Sequence, residues 1–329
     1  MRPAIALGGL LVALVVSAIL GVLAGAVAVG PGDVLAALAG SADGPTTAII
    51  RELRLPRVLA AALVGGALGV AGALLQGLLR NPLADPYVTG TSAGAALGSV
   101  AAVAVGGPAL LAPLAAFVGA LGSVAVVWRL ARIGGRTTVL TVLLAGIVIS
   151  SFAGAVITLL LVASDRLALR LRAVLDVLIG GVTSRGSAEL LSAFVIVAVA
   201  TVWALALARR LDAYAFGEET AATLGVDTDR TTWSVLVATA LLTGAAVALA
   251  GLVSFVGLVI PHALRPLVGA RHVVLVPACL LGGATALVLA DLGARIALAP
   301  AELPVGVVTG LIGAPFFLLV LTRATRSRA

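Results

Sequence analysis

Asp291 is a carboxylate inside an apolar run, with Arg295 four residues further on. On a helix that spacing puts both side chains on one face, so an ion pair is the simple reading. An acid in such a setting is also a candidate proton site, since intramembrane carboxylates are costly and tend to be kept for function. His262 and His272 stand ten residues apart with no cysteine between them. A metal site needs a converging ligand set, so a structural role is expected for both. Cys279 is the single cysteine, and its apolar surroundings mark it as a small core residue. The densest acidic group is Asp212, Glu218, Glu219, Asp227 and Asp229. No HExxH or GxxxxGK[ST] pattern occurs, which leaves no zincin site or phosphate loop. No catalytic residue, metal ligand or cofactor is therefore assigned.

The elements that would carry these groups are almost all apolar. Hydrophobic residues make up 61% of 329 and charged residues 11%, against about a quarter charged in soluble domains. Mean hydropathy is +1.23. The chain reads as an all-α polytopic membrane protein with about ten transmembrane helices: 4–29, 58–79, 88–106, 109–131, 138–163, 188–208, 231–250, 253–268, 273–296 and 304–322. The apolar N-terminal run is longer than a signal-peptide core and is taken as an uncleaved first span. The 253–268 segment carries Gly257, Pro261 and Pro266, so it is expected to be regular over only part of the bilayer. Gly65, Gly66, Gly69 and Gly72 lie three and four apart, a small-residue face suited to close helix approach. The second span should therefore be central.

A pI of 11.2 could suggest nucleic acid, but the basic residues are all Arg and sit at span ends, where they set topology. With the N-terminus inside, most arginines fall on the inner side, which places both termini in the cytoplasm. Three connections are more than turns. Residues 30–57 form an outer segment. In the outer stretch 164–187, Leu167 to Ile179 has the spacing of a short helix. The inner loop 209–230 holds the acidic group, and Gly225 would end a short helix there.

Several motifs then fall in order. Arg54-Leu55-Pro56-Arg57, the glycines from Gly65 to Gln76, Asn81-Pro82-Leu83-Ala84-Asp85-Pro86 and Gly90-Thr91-Ser92-Ala93-Gly94-Ala95 resemble the FecCD family. So do Ser254-Phe255-Val256-Gly257-Leu258 with Pro261-His262, Glu302-Leu303-Pro304-Val305-Gly306, and Gly313-Ala314-Pro315-Phe316-Phe317. The family comprises permease subunits of binding-protein-dependent ABC importers for ferric siderophores, haem and vitamin B12. One departure is Val177-Leu178-Ile179-Gly180-Gly181, where the family commonly has a Trp.

The resemblance implies a single permease domain over residues 1–329 with type II ABC importer architecture, in a bacterial cytoplasmic membrane. Its implied partners are a second permease subunit (identical or not), two ABC ATPase subunits, an extracytoplasmic binding protein and lipid, but no nucleic acid. It implies no catalytic site, ATP hydrolysis being the work of the separate subunit. Gly217, Glu218 and Glu219 with Ala221, Leu224 and Gly225 would form two short helices that couple to that ATPase. Arg54, Arg57 and Arg295 would offer a basic patch to the binding protein. Asn81, Pro82 and Leu83, with Thr138 at the start of the fifth span, would form the cytoplasmic gate. Ferric siderophore is the leading cargo, with vitamin B12 and haem as alternatives. A secondary transporter draws support only from Asp291 and the broken eighth span.

Overall fold

The computed structural model describes residues 3–25, 29–40, 44–106, 111–132, 139–163, 175, 177–182, 186–299 and 301–326. Among these the architecture is helical, with no strand beyond one isolated bridge, Leu298 to Ala301. Seven helices are long and apolar enough to cross a membrane, and three shorter apolar helices accompany them. The long ones begin with α1 (Pro3–Leu23). Short α2 (Pro31–Ala39) and α3 (Pro45–Ala48) follow, and α3 runs through a π-helical turn, Ile49–Arg54, into α4 (Leu55–Leu78). The second span is thus one continuous 34-residue helical run, beginning well before the expected residue 58.

After a 3-10 turn at Pro86–Thr89 come α5 (Thr91–Ala104), α6 (Leu111–Ala131) and α7 (Val139–Ala163). The second half holds α8 (Ser187–Tyr214), α9 (Glu218–Thr223), α10 (Thr228–Ala250), α11 (Val256–Val268), α12 (His272–Ile296) and α13 (Val305–Arg326). α8 overruns its expected end at 208 and absorbs Arg209 to Tyr214. Most of the expected short helix within 164–187 lies outside the described residues; Val177 to Ile179 are helical.

α4 is the centre of the bundle, buried along nearly its whole length. The glycine face does the work expected of it. A Cβ on Gly65 would overlap the Gly283 carbonyl of α12, one on Gly69 the Cys279 carbonyl, and one on Gly72 the Gly257 carbonyl of α11. Lipid gives helices no hydrophobic reason to associate, so close van der Waals contact between backbones carries the packing. α5 and α6 repeat the device with Gly94, Gly98 and Gly119.

α4 and α12 run antiparallel. His272, at the start of α12, abuts Gly77 near the end of α4, and Asp291, near the end of α12, pairs with Arg57 at the start of α4. The bundle thus has an arginine end and an α9 end.

Candidate functional site

At the arginine end, Arg54 and Arg295 are each 6% exposed. Arg54 donates through Nη1 to the carbonyls of Val22 and Leu23, both at 2.8 Å. Arg295 donates to the carbonyls of Gly21 at 2.9 Å and Ala24 at 3.1 Å. These are the last carbonyls of α1, which a helix leaves without N–H partners and which cannot be left bare in hydrocarbon. A cation there also meets the negative end of the helix dipole. Arg51 does the same for α2, its Nε donating to the Ala37 carbonyl at 2.6 Å.

Asp291, 1% exposed, lies 3.0 Å from Arg57 and 3.1 Å from Arg295. The expected pair of Asp291 with Arg295 is present, joined by Arg57, which also bonds Glu302 at 2.7 Å. Two expectations change. Arg54 and Arg295 do not face solvent, because main-chain carbonyls and a buried carboxylate hold them, and only Arg57 reaches the surface, beside Glu302. Asp291 is buried and held by two arginines, an arrangement that fits a structural ion pair.

At the other end, α8 and α10 are joined by a knob. Its neck is closed by Tyr214, 2% exposed, whose hydroxyl donates to the Thr228 carbonyl at 3.0 Å. Gly217 precedes α9 at φ 110°, ψ 152°, a region open essentially to glycine alone. At the other edge the Gly225 N–H bonds the Ala222 carbonyl and the Val226 N–H the Ala221 carbonyl. With Gly225 at φ 83°, this is a Schellman stop.

The loop thus holds one short helix, not the two expected, because Gly217 and Gly225 bracket a single turn and a half. Ala221 is fully buried under the knob, while Glu219 faces solvent and Glu218 is half-buried. Phe216 and Leu224 stand 75% and 65% exposed. Leu224 was expected at this surface. Phe216 was missed, although a large apolar residue beside glycine in an acidic loop was a usable signal.

The knob is tied to the bundle on both sides. Before it, Asp212 accepts from the His272 backbone N–H at 2.9 Å and lies 2.7 Å from its Nδ1. After it, Asp229 meets Arg132 at 3.3 Å, and Arg132 lies 4.9 Å above the Trp128 ring, itself packed on Trp233. The Arg80 guanidinium borders Gly217, and Arg80 takes a positive φ of 47° where α4 gives way to the loop beyond.

That loop turns through Asn81, whose side chain accepts from the Leu83 N–H at 2.9 Å, with Pro82 exposed beside it. Asp85 caps the following 3-10 turn, accepting from the Tyr87 N–H at 2.8 Å. Enclosure in protein pushes its carboxyl up to about 6, and the Tyr87 N–H opposes that rise. Leu83, Asp85 and Tyr87 line a cavity of about 560 Å³ with Ile147, Ser150 and Ser151 of α7, Ser254, Phe255 and Leu258 at the start of α11, and Phe317 of α13. Thr138 lies outside the described residues; α7 begins at the next one. His262 packs edge-on against Phe316, ring centroids 6.3 Å apart.

A match to the FecCD transport family runs over residues 12–323. The chain belongs to that family. Curated relatives include the cobalamin import system permease protein BtuC of Halobacterium salinarum, 42% identical over 84% of this chain and 74% of the relative. The hemin transport system permease protein HmuU of Yersinia pestis is 40% identical over 84% of each chain. A solved inward-facing structure of a metal-chelate type ABC transporter superposes with a TM-score of 0.86 at 32% identity, covering 96% of this chain and 98% of that one. This FecCD protein is a multi-span membrane permease of the ABC importer class.

Proposed function

We propose that this FecCD permease carries a bulky metal chelate inward across a cytoplasmic membrane, powered by separate ABC ATPase subunits and supplied by an extracytoplasmic binding protein. The observation that carries this is the family match over nearly the whole chain, on a fold that superposes on an ABC transporter end to end. The α9 end faces the cytoplasm, as the arginine distribution favours. The knob is the ATPase contact: Gly217 and Gly225 fix its shape, Glu218 and Glu219 give charge complementarity, and Ala221 seats it while Leu224 and Phe216 supply apolar contact. The loop at Asn81, Pro82 and Leu83 forms the inner gate, and the family resemblance adds Thr138 to it. A second permease subunit completes the pathway across the cavity.

At the opposite face the binding protein meets the rim formed by Arg57 and Glu302. Arg54 and Arg295 act from behind that rim by holding the end of α1. For cargo, ferric siderophore was the first expectation from sequence. The relatives named for cobalamin and hemin move metal tetrapyrroles ahead of it. All three are bulky chelates suited to an apolar path with few charges. The test is reconstitution of permease, ATPase and binding protein in proteoliposomes offered cobalamin, hemin or a ferric siderophore. ATP-dependent uptake that survives an uncoupler supports the proposal, and uptake without ATPase overturns it.

A further inference from the structure

α11 contains a proline that breaks its own hydrogen-bond ladder. The carbonyl of Gly257 should accept from the N–H four residues on, but that residue is Pro261, which has none. Inside a membrane protein such a carbonyl needs another donor. Gln76 provides it from α4. Its side-chain nitrogen lies 3.3 Å from the Gly257 carbonyl, 3.2 Å from that of Leu258 and 3.3 Å from that of Ala84 in the loop after α4. Its side-chain oxygen accepts from Arg265 of α11. Gln76 is 3% exposed, so water is a poor substitute. A second tie runs parallel: the Tyr87 hydroxyl accepts from the Val253 N–H just before α11.

We propose that Gln76 is a positioning residue that knits the loop at 80–86 and the start of α11 into one body, so that the gate opens along the seam with α7 and not by movement of the loop alone. Six of the ten cavity-lining residues belong to this knitted body, while Ile147, Ser150 and Ser151 of α7 and Phe317 of α13 face it. No polar contact between those facing residues and the loop occurs among the described residues, so the seam is where relative motion is cheapest. The inference rests on the gate assignment proposed above.

The test uses the full complex with spin labels at two pairs of positions, Pro82 with Ala263 and Pro82 with Val148, measured without nucleotide and with ATP plus vanadate. The expected result is one unchanged distance for Pro82 with Ala263 and a shifted one for Pro82 with Val148. A shift in both overturns the one-body inference and leaves the gate assignment standing. A shift in neither overturns the gate assignment and the inference with it. In Gln76→Leu the Pro82 to Ala263 distribution should broaden, and cargo moved per ATP should fall about tenfold, the effect of one net hydrogen bond. Gln76→Glu keeps the acceptor for Arg265 but loses the donors, and should behave the same way. A sharp distribution and unchanged coupling in Gln76→Glu would assign the positioning to Arg265 instead and overturn the role given to Gln76.

Discussion

At the end of the bundle where α1 stops, Arg54, Arg295 and Asp291 are almost sealed from solvent and bond only to the protein itself. At the other end Glu219, Phe216 and Leu224 stand in the open, and Glu218 and Glu219 make no ion pair among the described residues. The first arrangement closes a helix whose final carbonyls would otherwise lie bare in a poor solvent. The second closes nothing, so its residues are available to a partner. The lesson is that charge in this permease is structural where it is buried and is open to a partner where it is displayed, whatever its density in sequence.

That contrast breaks first at Asp291. Asp291→Ala removes the carboxylate and leaves Arg57 and Arg295 facing each other in a buried space. Breaking one side of a buried pair costs about 3–5 kcal/mol, so thermal unfolding of the purified protein should show a large loss, or no folded protein at all. A loss below about 1 kcal/mol would mean that water reaches the cluster. The pair Asp291→Leu with Arg295→Met sharpens the point: with Arg57 still held by Glu302, an apolar replacement of the carboxylate and its more buried arginine should recover part of the loss, less whatever the α1 carbonyls give up.

Next in size is the glycine face. Gly72→Ala puts a methyl group where the Gly257 carbonyl sits, and backbone cannot step aside as a flexible side chain would. Overpacking of this kind costs about 1–3 kcal/mol. Gly8→Ala in α1, where nothing lies within 4 Å of the added carbon, is the matched control and should leave the unfolding temperature unchanged. Equal losses at the two positions would remove the case for α4 as the packing centre.

The glycine face was legible in the sequence because small residues at helical spacing are their own signature. The eighth span was legible in its shortness but not in its cause: α11 runs unbroken through Pro261 and Pro266, and the irregular backbone lies before it at 251–255. The work of the arginines was not. Their partners are main-chain carbonyls 31 to 274 residues away, and a carbonyl has no sequence signature. Arg54 and Arg295 therefore looked like free charge at a span end. The knob was half legible. Gly225 marked its stop, but the turn and a half between Gly217 and Gly225 leaves room for one helix, and the seat beneath Ala221 depends on Tyr214 reaching Thr228 across the neck. Gln76 was visible only as part of a motif, since its meaning comes from a proline in a helix far along the chain.

A smaller loss is expected at the knob's hinge. Gly225→Ala forces a side chain into the left-handed region at about 1–2 kcal/mol. The strain is confined to the exposed loop, so α9 should loosen while the bundle holds. Hydrogen exchange should rise in residues 218–226 and stay level in α4 and α12. Faster exchange in α4 would mean that the knob is part of the core's cooperative unit.

The smallest effect on stability belongs to the variant with the largest expected effect on transport. Glu218→Arg with Glu219→Arg changes side chains that no ion pair among the described residues engages. Surface changes of this sort stay within about 0.5 kcal/mol, plus a few tenths lost where positive charge meets the start of α9. The unfolding temperature should therefore barely move and insertion should be normal, while ATP-driven uptake is lost and the ATPase no longer co-purifies. The opposite pattern, lost stability with retained uptake, would make the two carboxylates structural and erase the difference between the ends. Normal uptake at normal stability would move the ATPase contact off the charged edge and onto Phe216 and Leu224. The variant Phe216→Ser with Leu224→Ser would then separate apolar from charged docking.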